Sequence, residues 1–328
     1  MFFSILIPAY NKAAYVARCL DSVIGQSYED FEVVFIDDGS TDRTLEIASL
    51  YKDKRLRIIH SENRGVSSAR NSAIEASSGK YLLFLDADDA FAPCFLQRVH
   101  DDIISADFPN IVIGGLIKIS GSDYKTVISS VKGVFDSESY KAVFMHDMIE
   151  NGGLPGYIAN KAVSRDFILS NSFYFNPDLK LAEDLDFWVD CYRFAKSIIV
   201  SDNDGYLYYT GTLGSSVYER NIDYISQLYI WSKIREYVSP ADSKVMGYLD
   251  AKFSGYAVSA FNELCDITME NVRFLLQGIK EHKNKTQYRF IDSGQPLSFL
   301  ISLGFAKPIY YYLRLRKIVH DKRHNSRL

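Results

Sequence analysis

Strand and helix patterns alternate along the first part of this 328-residue chain. Short runs rich in apolar and β-branched side chains predict strands at residues 4–7, 32–36, 57–60 and 81–85. After the first run, apolar residues recur three and four positions apart over residues 16–24, which is typical of an amphipathic helix. This alternation predicts the α/β fold class, with a mostly parallel sheet and helices on both of its faces.

Polar clusters follow three of these strands, where each strand ends. They are Pro8-Ala9-Tyr10-Asn11, Asp37-Asp38-Gly39-Ser40 and Asp86-Ala87-Asp88-Asp89. Because ligands of parallel sheets bind beyond the carboxyl ends of the strands, we expect the three clusters to share one site. The last cluster carries three carboxylates, whose repulsion a hard cation such as Mg²⁺ or Mn²⁺ would relieve. The alternative is a solvated turn or a helix N-cap, both of which Asp favours.

Composition excludes several classes of protein. The net charge of −4 gives no reason to expect nucleic acid as a partner. The four cysteines are scattered without zinc spacing, which favours reduced thiols in a cytosolic protein. No apolar run reaches the roughly 18 residues of a spanning helix, and the run at residues 2–7 is too short for a signal peptide. We therefore expect a cytoplasmic protein.

The remainder of the chain has fewer distinct patterns. Residues 111–117 predict one further strand, whose two central glycines mark a bulge or a close approach of another backbone. Residues 151–156 form a Gly-rich loop, either a mobile lid or a long connection. Apolar side chains later recur at helical spacing. We predict a catalytic domain over residues 1–215 and a helical, aromatic-rich region with a basic tail over residues 216–328.

Four ordered blocks of the sequence resemble the family 2 glycosyltransferases. They lie at residues 4–11, 34–42, 63–71 and 86–89, and Ala182-Glu183-Asp184 resembles a later motif. The resemblance is dense from residue 4 to residue 93 and thins beyond about residue 216. It implies a GT-A fold, a nucleotide-sugar donor that is UDP-linked by family habit, a Mn²⁺ or Mg²⁺ cofactor, and inversion at the anomeric carbon.

The resemblance also assigns the donor site, to Pro8, Ala9, Tyr10, Asp37, Asp38, Arg70, Asp86, Ala87 and Asp88. Asp38 would accept a hydrogen bond from the base, and Arg70 would contact the base unless it pairs with a nearby carboxylate. Asp88 resembles the main metal ligand of the family. Asp86 would face the ribose or a metal-bound water, and Asp89 would cap the next helix.

Asp184 is the candidate general base, which inversion by direct displacement requires. Its place at the start of a predicted helix should keep the carboxylate ionised. The alternative is that Glu183, Asp184 and Asp186 only complement the helix dipole. Phe187 and Trp188 are expected in the core rather than against a sugar.

Three weaker signals concern the acceptor and the membrane. Lys161, after Asn160, lies where relatives often carry a cation near the acceptor or diphosphate. Residues 208–216 resemble a loop that folds over the diphosphate, but they lack the usual Arg or His, so hydroxyl or backbone contacts are expected. Residues 309–319 combine aromatic and basic side chains, which indicates peripheral membrane contact. A tail that is packed or disordered is the alternative, and a homo-oligomeric state is left open.

The sequence therefore favours an inverting, metal-dependent glycosyltransferase. It would move one sugar to a glycan or lipid-linked acceptor in surface polysaccharide synthesis. Spanning helices and a Gln-x-x-Arg-Trp motif are absent from the sequence, which argues against processive synthesis. A sugar-phosphate nucleotidyltransferase would instead carry a Gly-rich basic loop after the first strand. An inactive donor-binding module would have no need of Asp88 and Asp184.

Overall fold

The computed structural model describes residues 1–179, 181–211, 224–238, 243–262, 268–286, 297, 300, 301 and 306–314. The strands are β1 (Phe3–Ala9), β2 (Phe31–Asp38), β3 (Leu56–Ser61), β4 (Tyr81–Phe84), β5 (Ala90–Phe91), β6 (Ile111–Ile113), β7 (Leu116–Ser120), β8 (Asp123–Val127), β9 (Gly133–Phe135), β10 (Lys161–Ser164), β11 (Ile198–Val200) and β12 (Tyr206–Tyr209). The helices are α1 (Val16–Ile24), α2 (Thr44–Ser49), α3 (Val66–Ala76), α4 (Phe95–Ser105), α5 (Ser137–Glu150), α6 (Arg165–Ser170), α7 (Glu183–Phe194), α8 (Tyr224–Val238), α9 (Ser243–Asn262) and α10 (Met269–Thr286).

An eight-stranded sheet organises the first compact unit, in the order β3-β2-β1-β4-β10-β6-β11-β9. The first four strands of this order are parallel, and β10 is inserted antiparallel between β4 and β6. Every residue of β1, β2 and β4 is buried, which explains why these strands read as continuous apolar runs. The predicted α/β class is confirmed.

The order in which strands are added to the sheet reverses at β1. From β1 the chain moves outward to β2 and β3, and then returns to place β4 on the other side of β1. The carboxyl ends of β1, β2 and β4 therefore meet at a topological switch point, where ligands of such sheets bind. Helix α1 packs against the sheet through Val16, Cys19, Leu20 and Val23, as its spacing predicts.

The single strand predicted at residues 111–117 is wrong. The segment forms two strands that belong to different sheets, β6 in the large one and β7 in a four-stranded sheet of order β5-β12-β7-β8. Gly114 and Gly115 form the break between them. A side chain on Gly114 would collide with the backbone oxygen of Asn203, and one on Gly115 would lie 2.8 Å from that of Val127. The predicted close approach of backbone is therefore confirmed, and it bends the chain out of the first sheet.

A second compact unit comprises Lys180–Ala182 and Asn221–Leu328, and the first comprises Met1–Leu179 and Glu183–Arg220. The described part of the second unit is helical, with α8 and α9 joined by a buried ion pair between Arg235 Nη1 and Asp250 Oδ1 at 2.8 Å. The boundary predicted between residues 215 and 216 lies outside the described residues. Among the residues that are described, no helix is both long and apolar enough to cross a membrane.

Candidate active site

A cavity of about 560 Å³ opens within the first unit, at the switch point of the sheet. Its volume is in the range of ordinary small-molecule sites. Its lining includes every predicted site residue except Asp37: Pro8, Ala9, Tyr10, Asp38, Arg70, Asp86, Ala87, Asp88 and Asp184. The structure thus brings together residues as far apart in the sequence as Pro8 and Asp184.

Two turns at the strand ends are fastened to each other. Asn11, which follows β1, has a left-handed φ of 52°, and its Oδ1 accepts from the backbone N–H of Thr41 at 2.8 Å. Its own backbone N–H donates to Ser40 Oγ at 3.0 Å. Gly39 also has a positive φ, and a Cβ there would lie 2.7 Å from the backbone N of Asn63. These contacts give the two motifs a structural role, because they fix the edge of the cavity where Tyr10 is exposed.

Asp37 and Asp38 point to different environments. The Asp38 carboxylate accepts from the backbone N–H groups of Arg64 and Gly65, both at 2.9 Å, at the start of α3. Asp37 is fully buried, and its Oδ2 lies 2.6 Å from His60 Nδ1. Successive side chains of a strand face opposite sides, so only one of the two can reach the cavity. That residue is Asp38.

Asp88 carries the ion pair at one end of the cavity. Its Oδ2 lies 2.8 Å from Lys12 Nζ, and both side chains are 13% exposed. The backbone oxygen of Asp88 accepts from Arg18, whose guanidinium lies 3.5 Å from the centre of the Tyr209 ring. The Asp88 carboxylate therefore already faces the positive charge of Lys12, and its negative charge would equally suit a metal cation.

The sequence predicted that Asp89 would cap the next helix, but the structure shows a different role. Its buried carboxylate accepts from the Tyr206 hydroxyl and from the backbone N–H of Tyr209, both at 2.8 Å. Burial, with the nearby Asp86 and Asp88 charges, raises the pKa of Asp89 well above its usual range. Asp89 thus fastens β12 to the carboxylate cluster and positions the tyrosines that line the cavity.

Arg70 holds three carboxylates at the other end of the cavity. Its Nη1 lies 2.5 Å from Asp184 Oδ1 and 3.2 Å from Glu183 Oε1, and its Nη2 lies 3.1 Å from Asp86 Oδ1. The Arg70 side chain is only 4% exposed. The carboxylate pairing that was the alternative to a base contact is therefore the arrangement seen. This guanidinium joins α3, the end of β4 and the first turn of α7.

Asp184 is not held ionised by the helix terminus alone. Burial raises its pKa to about 8, and although the Arg70 charge opposes this, Glu183 and Asp86 add to it. The expectation that position at a helix N-terminus would dominate is wrong in direction, because three carboxylates share one guanidinium in a largely enclosed site. A carboxyl with a pKa near the working pH is suited to accept a proton and to release it afterwards.

Lys161 does not present its charge to the cavity. The side chain is buried, and its Nζ donates to the backbone oxygens of Tyr157 at 2.6 Å, Leu154 at 3.3 Å and Ala159 at 3.4 Å. It also donates to Asn160 Oδ1 at 2.9 Å. Burial lowers its pKa to about 7. The predicted contact with acceptor or diphosphate is therefore replaced by a structural role in the turn at residues 154–160.

The Gly-rich loop at residues 151–156 forms part of the cavity wall. It contains a short 3₁₀ helix, Leu154–Gly156, in which Leu154 and Pro155 are buried. Gly152, Gly153 and Gly156 line the cavity. Of the two alternatives, a mobile lid or a long connection, this packing favours a connection that also forms part of the cavity wall.

The segment after β12 contributes backbone-directed rather than charged contacts. Thr210 Oγ1 donates to the backbone oxygen of Ile119 at 3.1 Å, so this hydroxyl is turned to β7. Residues 212–216 of the predicted loop lie outside the described part.

Phe187 and Trp188 are buried, as expected of core residues.

Tyr208 and Tyr209 of the predicted diphosphate loop line the cavity, and so do three residues to which the sequence assigned no ligand contact: Lys12, Glu183 and Tyr157. Lys12 directly follows the first polar cluster, and that adjacency was an available signal. Glu183 precedes the proposed base and was read only as a helix-dipole residue. Tyr157 carries no local signal, because only the packing of its turn brings it to the cavity.

A divalent ion would find one protein carboxylate at this site. Among the described residues, no group of three His, Cys, Asp or Glu side chains is arranged to hold a metal. Magnesium-type ions are often held by one or two carboxylates together with substrate phosphates. Asp88, beside a lysine ammonium in the cavity, fits that mode, whereas Asp86 and Asp89 are engaged by Arg70 and the tyrosines.

A model of the family described as glycosyl transferase family 2 matches residues 4–173, more than half of the chain. EpsJ of Bacillus subtilis, an uncharacterized glycosyltransferase, is 30% identical over 213 residues, 62% of this chain and 60% of EpsJ. TarS of Staphylococcus aureus, a poly(ribitol-phosphate) β-N-acetylglucosaminyltransferase, is 30% identical over 222 residues, 64% of this chain and 36% of TarS. The chain thus aligns with less than two thirds of either relative.

Solved structures share the architecture. Residues 1–349 of Staphylococcus aureus TarS, in complex with UDP-GlcNAc, superpose with a TM-score of 0.65 at 18% identity, over 97% of this chain and 92% of that one. The mannosyltransferase PcManGT of Pyrobaculum calidifontis, with GDP-Man and Mn²⁺, gives 0.50 at 14% identity, over 98% and 87%. At these identities the likeness establishes the fold, which is GT-A as the resemblance implied.

Proposed function

The chain belongs to glycosyl transferase family 2, and from this premise we propose that it transfers a single sugar from a UDP-sugar to a hydroxyl of a glycan or lipid-linked acceptor, with inversion. The observation that carries the proposal is one cavity holding Asp38 and Asp88 on the strand ends and Asp184 at the start of α7. The TarS complex with UDP-GlcNAc supports a uridine nucleotide. Surface polysaccharide synthesis is the proposed setting.

The donor would lie along the strand ends. Asp38, fixed by two backbone amides, keeps lone pairs for a donor group of the base. Tyr10 stands exposed at the rim, where its ring can stack on the base. Asp88 would hold a divalent ion against the diphosphate, and the ion would offset the charge that develops on the leaving group.

Asp184 would act at the other end. The acceptor oxygen attacks the anomeric carbon from the face opposite the diphosphate, and its proton passes to Asp184 Oδ. As the new C–O bond forms, the bond to the diphosphate breaks and its electron pair leaves with the nucleoside diphosphate. Arg70 acts as a positioning residue, because it fixes Asp184 and Asp86 without any need to touch the reacting atoms.

The test is a panel of nucleotide sugars with Mn²⁺, scored by thermal shift and by release of nucleoside diphosphate. We expect UDP-sugars, tested first with UDP-GlcNAc, to raise the melting temperature and to be slowly hydrolysed. Asp184→Asn should keep the thermal shift and lower turnover by about 10² to 10⁴. Wild-type turnover in Asp184→Asn would exclude the assigned base. Stabilisation by UDP-sugars without turnover in the wild type would favour an inactive binding module.

The C-terminal tail is proposed to contact an anionic membrane surface. Residues 306–314 are helical, with Tyr311 61% exposed, and residues 315–328 lie outside the described part. Co-sedimentation with vesicles containing phosphatidylglycerol should exceed that with neutral vesicles and fall at high salt. A chain shortened by residues 315–328 is the control, and equal sedimentation of the two would contradict the proposal.

A further inference from the structure

Three side chains form one row across the four-stranded sheet. In the register of β12 with β7, Tyr208 is opposite Lys118, and in that of β7 with β8, Lys118 is opposite Lys125. Residues directly opposite in a ladder project to the same face of the sheet. Tyr208, Lys118 and Lys125 therefore make a continuous row, the lysine row, that runs from β12 to the edge strand β8.

The lysine row begins at the cavity. Tyr208 lines it together with Tyr157, and the two rings pack edge to face with centres 5.7 Å apart. Lys118 Nζ lies 2.6 Å from the Tyr157 hydroxyl and 4.9 Å from the centre of its ring. Neighbouring strands are about 4.8 Å apart, which places the Lys125 backbone about 10 Å from that of Tyr208. The row thus extends the cavity wall outward by two strands.

The charge of the row is unbalanced. Like charges directly opposite on two strands destabilise a sheet. Among the described residues, no carboxylate forms an ion pair with Lys118 or Lys125. Asp123 lies on the same face of β8, two positions from Lys125, but its register partner is Ser120. An anion above the two ammonium groups would relieve their repulsion.

Protection of a sheet edge does not account for the row. Lysines on edge strands prevent unwanted pairing with other strands, and this would explain Lys125 on β8. It does not explain Lys118, which lies on β7 between β12 and β8 and touches the cavity wall. The inner lysine therefore points to a ligand rather than to edge protection.

We infer that the lysine row binds an oxyanion of the acceptor, a phosphodiester or a carboxylate carried near the hydroxyl that receives the sugar. Ammonium groups form short, charge-assisted hydrogen bonds to both kinds of oxyanion. Tyr157 and Tyr208 would pack against the sugar or polyol that connects the anion to the reacting hydroxyl. The assignment to an acceptor rests on the proposed function, whereas the anion site itself rests on the row.

The test measures binding of three probes at low salt: a glycerol-phosphate oligomer, an oligogalacturonide and a neutral N-acetylglucosamine oligomer. The wild type should bind at least one anionic oligomer about tenfold more tightly than the neutral one. Lys125→Glu should remove that preference, and Lys118→Met should weaken it. Lys54→Glu, a charge reversal at an exposed lysine before β3, is the matched control and should bind as the wild type does. The anionic oligomer that binds identifies phosphate or carboxylate as the source.

Two results would overturn the inference: equal affinity of the wild type for all three oligomers, or equal affinities in Lys125→Glu and Lys54→Glu. Stabilisation by UDP-GlcNAc is measured in parallel. If the protein binds UDP-GlcNAc but shows no preference for the anionic oligomers, the anion site is refuted and the proposed function is not. If the protein prefers an anionic oligomer but no UDP-sugar stabilises it, the anion site is supported and the proposed function is refuted.

Discussion

The two ends of the cavity balance their carboxylates differently. At one end the Lys12 ammonium lies against the Asp88 carboxylate, and both side chains are 13% exposed. At the other end one nearly buried guanidinium, Arg70, serves Asp86, Glu183 and Asp184. A carboxylate paired with a flexible ammonium can exchange its cation, whereas carboxylates that outnumber the guanidinium they share more readily take up a proton. Under the proposed function, the first end would bind a cation and the second would take up a proton.

Removal of Arg70 should have the largest effect. Arg70→Met leaves three carboxylates together without a cation, and breaking a buried ion pair costs about 3–5 kcal/mol. We expect a loss of that size in the free energy of unfolding, measured by urea denaturation. Arg64→Met, at a mostly exposed side chain, is the control and should change stability little. Similar losses for Arg70→Met and Lys12→Met would break the comparison between the two ends.

Asp89 should be worth more to stability than its neighbour Asp88. Asp89→Ala leaves the buried Tyr206 hydroxyl and the Tyr209 amide without their acceptor, at a cost of about 2 kcal/mol. Asp88→Ala breaks the ion pair with Lys12, whose side chains are 13% exposed, and should cost about 1 kcal/mol. Urea denaturation of both variants measures the difference. Equal costs would show that the two carboxylates have similar structural roles.

The pH dependence of transfer should report the excess charge around Asp184. A general base works only when ionised, so with a pKa of about 8 the rate rises as the pH rises from 6 to 8. Glu183→Gln removes one of the charges that raise this pKa. We therefore expect the rising limb to move to lower pH by about one unit, with faster transfer at pH 6.5.

Glu75→Gln, at an exposed position of α3, is the control for this experiment and should leave the limb in place. The donor is kept saturating in both cases, so that the profile reports the bound enzyme. A limb that stays unmoved in Glu183→Gln, or that shifts to higher pH, would contradict the role given to Glu183.

Lys12 should have the smallest effect on stability and a distinct effect on cation binding. Lys12→Met removes the ammonium that now faces Asp88, at a cost of about 1 kcal/mol. Without donor, Mn²⁺ should bind this variant a few times more tightly than the wild type, as measured from free Mn²⁺ by electron paramagnetic resonance. The double variant Lys12→Met/Asp88→Ala should lose that gain. Unchanged affinity in Lys12→Met would show that the lysine does not compete with the ion.

The strand ends could be read from the sequence because burial on both faces leaves continuous apolar runs, and polar residues then mark where each run stops. The choice between Asp37 and Asp38 depends on which face of β2 each occupies, which only the assembled sheet settles. The pKa of Asp184 depends on its burial and on the charges of Arg70 from α3, Glu183 from α7 and Asp86 after β4, which meet only in the folded chain. Local position at a helix start therefore predicted the wrong direction.

Lys161 shows the same limit from the other side. Its charge and its place after Asn160 suggested a ligand contact, but the backbone of residues 154–160 folds around the ammonium. No pattern of residue types announces a turn whose carbonyl groups point inward. Likewise, the lysine row depends on strand register between β7, β8 and β12, which spans more than 80 positions of sequence, from Lys118 to Tyr208.

The turn around Lys161 also affects how this cavity wall can change during evolution. Three of the four oxygens that hold the ammonium belong to the backbone, so most side chains of residues 154–159 can be replaced without loss of a ligand. The turn thus holds the buried lysine through its own backbone oxygens. Substitutions in this segment would therefore change the cavity wall at Gly156 and Tyr157 while the lysine and the carboxylates around Arg70 are retained.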